Sequence, residues 1–418
     1  MMRVVVAIVV VGMWTACRAG LPAVPGQGGP AWIELTSEHF TLWTDADPAR
    51  GRELVNEIEH LRQIVVAVAF PSAPLAGHSL VITLRDDSEL SEFWVNGEAR
   101  AWAGPAYAPL WQPYIVLSAF SATDRIERVV AHELTHLVSF AVLHRQPRWL
   151  AEGMAQYFET MQLDPGNDQV DIGVAPEFRG QPMRMSHLIS AASLFAWHGQ
   201  ASSFEERGHY SSAWALFNFL VNRHRDELVR YLELIERIQP RAVDDRAAQL
   251  TAVWREAFPS LPLAELDGEL RRWLVSGSHI VLHVRAQRRN WPAEQRPLSD
   301  ADVYAIRAFL HGSPPEAAQS NAELAAALEA EPTQVLAQLL TLTRGGAHIT
   351  PEQARATVAA HGDDWRAWWL ASVAMSATHG ARSEIDQAAA KACTLIAQNP
   401  ALVAPPNLCR MSAAGPAQ

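Results

Sequence analysis

The sequence predicts an α+β protein in which a small sheet with its helices precedes a region built of helices alone. Along short segments before residue 120, apolar and polar residues alternate as they do in half-buried strands. Apolar residues then recur at helical spacing, and alanine becomes abundant beyond Pro297. A few strands and helices followed by many helices indicate an α+β fold. A length of 418 residues is enough for two or three domains.

The N-terminus is typical of an export signal. A short positive start at Arg3 precedes an apolar run, residues 4–14, that is shorter than the roughly 20 residues needed to span a bilayer. Residues 1–17 are therefore predicted to be a signal peptide, which implies a periplasmic or cell-envelope location. The segment ending in Cys17, WTAC, resembles the lipobox of bacterial lipoproteins, which implies lipidation of Cys17 and a membrane tether. An ordinary cleaved signal and a retained anchor are the alternatives. Residues 18–30 have the composition of a Gly/Pro linker.

The elements that follow are predicted in order. Residues 32–36, 39–44, 79–85 and 113–118 are expected to be strands, because they alternate in polarity or are continuously apolar. Asp47 and Pro48 form an N-cap followed by proline at the first helical position, so a helix should begin there and run to about residue 68. Asp87 is expected to cap a short helix.

Two further helices lie in the middle of the chain. Asp124 and Glu127 have the spacing of a capping box and predict a helix that extends to about residue 144. Pro147 separates it from a second helix, residues 148–159. From His187 to about residue 274 the chain reads mainly as helix.

The last part of the chain shows a weak repeat. Pro332, Asp364 and Pro400 each open a new helical pattern and lie 32 and 36 residues apart, close to the roughly 34-residue period of tetratricopeptide repeats. The predicted boundaries are therefore residues 31–296 for the first domain and 297–418 for a tetratricopeptide-like helical domain; an irregular helical domain is the alternative. Cys393 and Cys409 could form a disulfide in an oxidising compartment or remain free thiols.

Residues 129–138, VVAHELTHLV, place three polar side chains inside an otherwise apolar helix. His132 and His136 are four residues apart, so both imidazoles project from one helix face and can bind one ion. Zinc accepts imidazole nitrogen, and a catalytic zinc keeps one position open for water. Glu133 lies beside the pair, where it can serve as general base for that water. This is the HExxH pattern.

The third ligand is indicated by a resemblance. HELTH followed by RWLAEGMAQYFE resembles the gluzincin metallopeptidases, most of all their bacterial peptidase-MA-like branch, over about residues 32–257. The resemblance implies a gluzincin-like domain with a small sheet and Glu152 as the third zinc ligand. Glu159, on the same helix face, is a weaker candidate for a ligand or for a residue that supports one. The metzincin extension is absent, because Ser139 and Val142 occupy its Gly and His positions.

Further expectations concern the substrate. By analogy with gluzincins that use a tyrosine hydroxyl, Tyr210 is the candidate that stabilises the oxyanion; His209 is a lesser alternative, and a packed tyrosine is the plain interpretation. The strand at residues 114–117, or residues 102–104, could hold an extended peptide by strand addition.

Three functions follow from these patterns. The first is an exported zinc metallopeptidase whose helical repeats bind substrate or a protein partner. The second is a catalytically silent, metal-binding lipoprotein that acts as a scaffold through its repeats, and the third treats the motif as chance. Nucleic acid is an unexpected partner, because the chain carries 45 acidic against 34 basic residues, a net charge of −11.

Overall fold

The structure, a computed structural model, describes most of the chain. The described residues are 21–72, 78–93, 101–104, 110–119, 126–164, 166–178, 181–182, 188–197, 203–238, 243–277, 279–312, 317–344, 349–399, 402, 405 and 408–409. The predicted signal peptide, Cys17 and the predicted cap at Asp124 lie outside them. Within this part of the chain, no helix has both the length and the apolar character required to cross a membrane.

The chain is a mixed α/β structure of eleven strands and fifteen helices within the described residues. The strands are β1 (Ile33–Thr36), β2 (Phe40–Thr44), β3 (Ser79–Leu84), β4 (Ala101–Gly104), β5 (Tyr114–Ser118), β6 (Gln162–Asp164), β7 (Gln169–Ile172), β8 (Glu177–Phe178), β9 (Gln181–Pro182), β10 (Leu282–Arg285) and β11 (Glu294–Pro297). The helices are α1 (Pro48–Ala69), α2 (Asp87–Leu90), α3 (Ile126–Val142), α4 (Arg148–Glu159), α5 (Ala191–Phe195), α6 (Ser203–Arg223), α7 (Arg225–Ile235), α8 (Val243–Ala257), α9 (Leu263–Ser276), α10 (Asp300–Leu310), α11 (Ala317–Ala330), α12 (Val335–Thr343), α13 (Pro351–Ala360), α14 (Trp365–Ala377) and α15 (Arg382–Ile396).

Six strands form the main sheet in the order β11-β1-β2-β3-β5-β4. The pairs β2/β3 and β3/β5 are parallel, whereas the outer pairs are antiparallel. Strand β4 is one edge of this sheet, and it lies beside α3. A second sheet has the order β10-β7-β6, and β8 pairs with β9.

Both faces of the main sheet are covered. Because side chains alternate along a strand, Leu35 and Leu42 belong to the core shared with α1 and α3, while their neighbours face the other way. On that other face, Leu80 and Ile82 share a second core with α10, α11 and α12. The first helices beyond residue 297 therefore complete the core of the sheet.

Local sequence signals fix the helix starts. The Asp47 carboxylate accepts hydrogen bonds from the backbone N–H groups of Ala49 and Arg50, which confirms the predicted start of α1. The short helix α2 is capped by Asp86 instead of the predicted Asp87. The Asp86 side chain accepts hydrogen bonds from the backbone N–H groups of Ser88 and Glu89. Helices α3 and α4 are separated at Pro147, as the sequence predicts.

Two terminal segments are attached to the fold. Residues 21–30, whose composition predicts a linker, pack on the protein: Val24 is buried in the second core, and the backbone N–H of Gly26 donates to Asp300 at 2.8 Å. At the other end, Cys393 and Cys409 form a disulfide with their Cα atoms 5.6 Å apart.

Candidate metal centre and active site

The site is built on two helices that pack closely together. Helix α3 carries His132 and His136 one turn apart, and α4 folds back after Pro147 to bring Glu152 opposite them. The flanking apolar residues of α3 are buried in the first core, so the polar face of the helix must be directed at α4. The local helix spacing and the turn together create the site.

Three ligand atoms converge on one point. The Nε2 atoms of His132 and His136 are 3.1 Å apart, and Glu152 Oε2 lies 3.4 and 3.3 Å from them, respectively. A tetrahedral zinc ion with ligands at 2.0–2.1 Å separates those ligands from one another by roughly 3.3 Å. The observed triangle therefore has the dimensions that this ion requires.

The chemistry of the three atoms also fits a cation. Glu152 Oε2 is buried, and no donor in the described part of the chain satisfies it with hydrogen-bond geometry. A buried carboxylate oxygen without such a partner is costly, and a metal ion would remove that cost. His132, His136 and Glu152 thus form a group that could hold a metal ion.

The close approach of these side chains shifts the pKa values of Glu152 and His132. Burial alone would raise the pKa of Glu152, but the charges of the His136 and His132 imidazoles, 3.3 and 3.4 Å away, bring that pKa well below its ordinary value. Burial would lower the pKa of His132, yet the carboxylate of Glu152 and that of Glu159, which accepts the Nδ1–H, raise it well above its ordinary value. The two opposite shifts stabilise the charged forms of both partners.

Glu133 lies beside the ligands. Burial raises the pKa of its carboxyl group, while the nearby charges of His132 and His136 and a hydrogen bond from the backbone N–H of Ala103 act in the opposite direction. Ala103 belongs to β4, so the carboxylate is held between the motif helix and the edge of the sheet. A half-buried carboxylate with a raised pKa is a suitable proton acceptor.

Glu159 contacts the other nitrogen of a ligand. The Nδ1–H of His132 donates to Glu159 Oε2 at 2.8 Å, so this carboxylate is not among the three converging atoms. The side chain of Gln156 also donates to Glu159. Of the two predicted alternatives for Glu159, the observed geometry corresponds to support of a ligand.

Tyr210 lies near the group on α6. Its ring centroid is 6.3 Å from that of His132 and 5.5 Å from that of Trp197. His209 packs on the other side, with its ring 4.7 Å from Trp197. The structure thus brings Tyr210 to the edge of the site, whereas the ring contact of His209 is with Trp197.

Several residues that contact the candidate metal-binding group were not predicted from the sequence. Arg148 Nε lies 3.6 Å from the second oxygen of Glu152, and the Arg148 guanidinium stacks over Trp197 at 4.3 Å. Gln156 and Arg148 are each four residues from Glu152, on the same helix face. This four-residue spacing is the sequence feature from which both contacts with the site could have been predicted. The stacking of Phe140 on His136, 5.6 Å between centroids, follows the same i to i+4 rule.

One comparison with known proteins concerns this region. Residues 127–242 match the family described as "Protein of unknown function (DUF1570)". The matched segment contains the three converging residues, Glu133 and Tyr210, and it covers less than half of the chain. No curated protein matches the sequence.

Proposed function

We propose that this chain is an exported zinc-dependent peptidase of the gluzincin type. The observation that supports it best is the triangle of His132 Nε2, His136 Nε2 and Glu152 Oε2, with sides of 3.1 to 3.4 Å. Glu133 follows His132 directly, which is the arrangement of a general base beside a catalytic metal. A purely structural zinc site would more often have four protein ligands.

A zinc ion held there would supply Lewis acidity and would lower the pKa of a bound water. Glu133 accepts the proton of the attacking water and passes it to the leaving amine. Its raised pKa favours this role, since a base is most effective when its pKa approaches the working pH. Glu159 keeps the proton of His132 on Nδ1, which leaves the Nε2 lone pair directed at the ion.

Tyr210 is proposed to donate its hydroxyl proton in a hydrogen bond to the developing oxyanion. Its ring lies beside His132, on the helix that packs against α4. The edge strand β4 is the proposed docking place for an extended peptide, since it lies next to the motif helix and has a strand partner on one side only within the described residues. The helical region beyond α10 is proposed to be tetratricopeptide-like and to contact a protein partner.

Zinc content and turnover in three proteins test the proposal. Wild type is expected to bind about one zinc and to cleave peptides. Glu133→Gln should keep the metal and lose at least about a thousandfold in kcat, because only the base is removed. His136→Ala should lose both metal and turnover.

The outcome also separates the alternatives. Wild type that binds one zinc and cleaves nothing in a broad peptide library would favour a catalytically silent, metal-binding scaffold. Wild type that binds no transition metal after careful remetallation would contradict both. Tyr210→Phe should lower kcat with little effect on zinc content if the hydroxyl acts on the oxyanion.

Export and anchoring are proposed from the N-terminal sequence alone. Labelled palmitate should be incorporated into the wild-type chain in a bacterial host and should be lost in Cys17→Ser. Retention of the label in that variant would contradict a lipid anchor at Cys17.

A further inference from the structure

A second cavity lies on the opposite face of the main sheet from the proposed metal centre. It has a volume of about 800 Å³ and is lined by residues that include Glu34 and Trp43 of β1 and β2. Their neighbours Leu35 and Leu42 point into the core shared with α3. Because side chains alternate along a strand, the cavity and the motif helix are separated by the sheet.

The cavity is closed by the turns between the C-terminal helices. Its other walls come from the start of α10, the turn before α12, the turn before α14 and the segment after α15. Two of these turns contain Pro332 and Asp364, positions at which the sequence shows its weak repeat. Asn399 fastens one of them to the sheet, because its Oδ1 accepts from the backbone N–H of His78 at 2.8 Å.

The described lining is strongly acidic. It contains five carboxylates and two guanidiniums, and the five are Glu34, Asp302, Glu331, Asp363 and Asp364. Both guanidiniums already have carboxylate partners: Arg296 binds Glu34 at 2.6 Å through two nitrogens, and Arg366 binds Asp364 at 2.6 Å. With the histidines of the lining neutral, these groups leave a net charge of −3 to attract a cation, although Glu331 already contacts His361 Nε2 at 3.2 Å and Asp302 accepts from Gln334 at 3.1 Å.

Two tryptophans complete the site. The indole N–H of Trp43 donates to Glu34 at 2.9 Å, which leaves the ring available to the cavity. Trp365 is only 6% exposed, and its indole N–H has no acceptor among the described residues. An indole N–H at a binding site usually finds an acceptor, and a peptide carbonyl is one.

We infer that this cavity binds a basic segment of a polypeptide. A lysine or arginine side chain lies between the carboxylates and the indole ring of Trp43, where charge attraction and cation–π contact act together. A backbone carbonyl of the segment accepts from Trp365. A volume of about 800 Å³ lies within the usual 300–1,000 Å³ range of ligand pockets.

Peptide binding to the full-length Glu133→Gln chain, which should not cleave its ligand, tests this inference. The probe is an acetylated and amidated pentapeptide with two lysines. Two ligands serve as comparisons: the same pentapeptide with glutamates in place of the lysines, and spermidine. We expect saturable binding of the lysine peptide, weaker binding at higher ionic strength, and no binding of the glutamate peptide.

Two variants locate the bound peptide. Asp363→Asn and Glu331→Gln should each weaken binding about two- to fivefold, as expected for a partly exposed charge contact. Glu329→Gln changes an exposed carboxylate of α11 outside the cavity and should have no effect. Thermal unfolding of all three should be unchanged, since Asp363 and Glu329 are exposed and Glu331 is only half-buried.

Absence of saturable binding, or binding that neither cavity variant weakens, would overturn the inference. Spermidine that binds as tightly as the peptide would overturn the polypeptide assignment. The His136→Ala variant should bind the lysine peptide as tightly as a chain that keeps His136, because the cavity lies apart from the proposed metal centre. Failure of the zinc proposal and failure of the peptide-binding proposal are therefore distinguishable.

Discussion

Glu159 shows how one side chain controls another at the candidate centre. Its carboxylate accepts the Nδ1–H of His132 and thereby fixes the tautomer in which Nε2 carries a lone pair. A carboxylate on the distal nitrogen also makes the imidazole a stronger ligand. Through His132, the residue would therefore act on a metal ion held by this group.

Removing this carboxylate should weaken metal binding. We expect Glu159→Ala to lower the affinity for zinc about 10- to 100-fold, the range typical for such partners. Competition with a chromophoric chelator measures it. Glu269→Ala, which removes an exposed carboxylate of α9, is the matched control. Equal affinities for the two variants would show that Glu159 has no such role.

At the residue scale, the sequence predicts those groups whose positions follow from a local rule. His132 and His136 are four residues apart on one helix, so their common direction needs no tertiary information. Glu152 required the resemblance, because its approach depends on how α4 turns back after Pro147. The contact of Tyr210 with the site depends on α6, and no local spacing encodes it.

Close packing of α4 on α6 places Glu152. Gly153 lies directly next to Glu152, and a Cβ atom at this position would come within 2.6 Å of the Ala213 carbonyl oxygen and 2.9 Å of Phe217 Cβ. The two helices can approach this closely only because the side chain is absent.

Gly153→Ala should therefore push the helices apart. We expect a loss of about 1–3 kcal/mol in the free energy of unfolding, from overpacking, together with weaker zinc binding as Glu152 moves. Gly268→Ala in α9 is the control: its Cβ would meet only Arg272 at 3.5 Å, so it should stabilise the helix by up to about 1 kcal/mol. Denaturant unfolding measures both, and a neutral Gly153→Ala would contradict this account.

Elements with strong local signals were predicted, and those without were missed. The start of α1 and the separation of α3 from α4 follow from Asp47 and Pro147. Strands β6, β7 and β10 were missed, because each has three or four residues and Val170 pairs with Val284 far along the chain. Such pairing is determined by tertiary packing rather than by local preference.

At the scale of the whole molecule, the sheet lies between two sets of helices. Leu80, Ile82 and Val116 face the helices beyond residue 297, so the predicted boundary passes through a shared core. The sequence could not show this, because strand alternation alone does not reveal what covers each face of a sheet.

Truncation tests that organisation. A chain that ends at Pro297 exposes one apolar face of the sheet and should aggregate or unfold without cooperativity. A chain that ends at Arg344 keeps α10, α11 and α12 and should unfold cooperatively with its zinc content intact. A soluble, cooperative shorter chain would show that the metal-binding part folds without these helices.

A buried acid makes the stability of the molecule depend on pH. Burial and the contact with Glu89 raise the pKa of Asp45 to about 8. The unfolded chain ionises this group near its ordinary value of 3.8, so the folded state loses stability as the pH rises from about 4 to about 8.

Asp45→Asn should remove that dependence. An amide carries no charge at any pH, so we expect the variant to exceed the wild type by about 1–3 kcal/mol near pH 8 and to match it near pH 4. Denaturant unfolding across this interval measures the difference. A constant difference at all pH values would contradict the assignment to Asp45.

The docked segment at residues 21–30 limits how far the protein can stand from a bilayer. Residues 18–23 separate Cys17 from Val24, the first buried residue of this segment, and seven residue steps span at most about 25 Å. A chain lipidated at Cys17 would therefore keep the end of the molecule near Val24 and Asp300 close to the lipid headgroups. A protein anchored in this way could contact only molecules that reach the membrane surface, and its orientation there would be restricted.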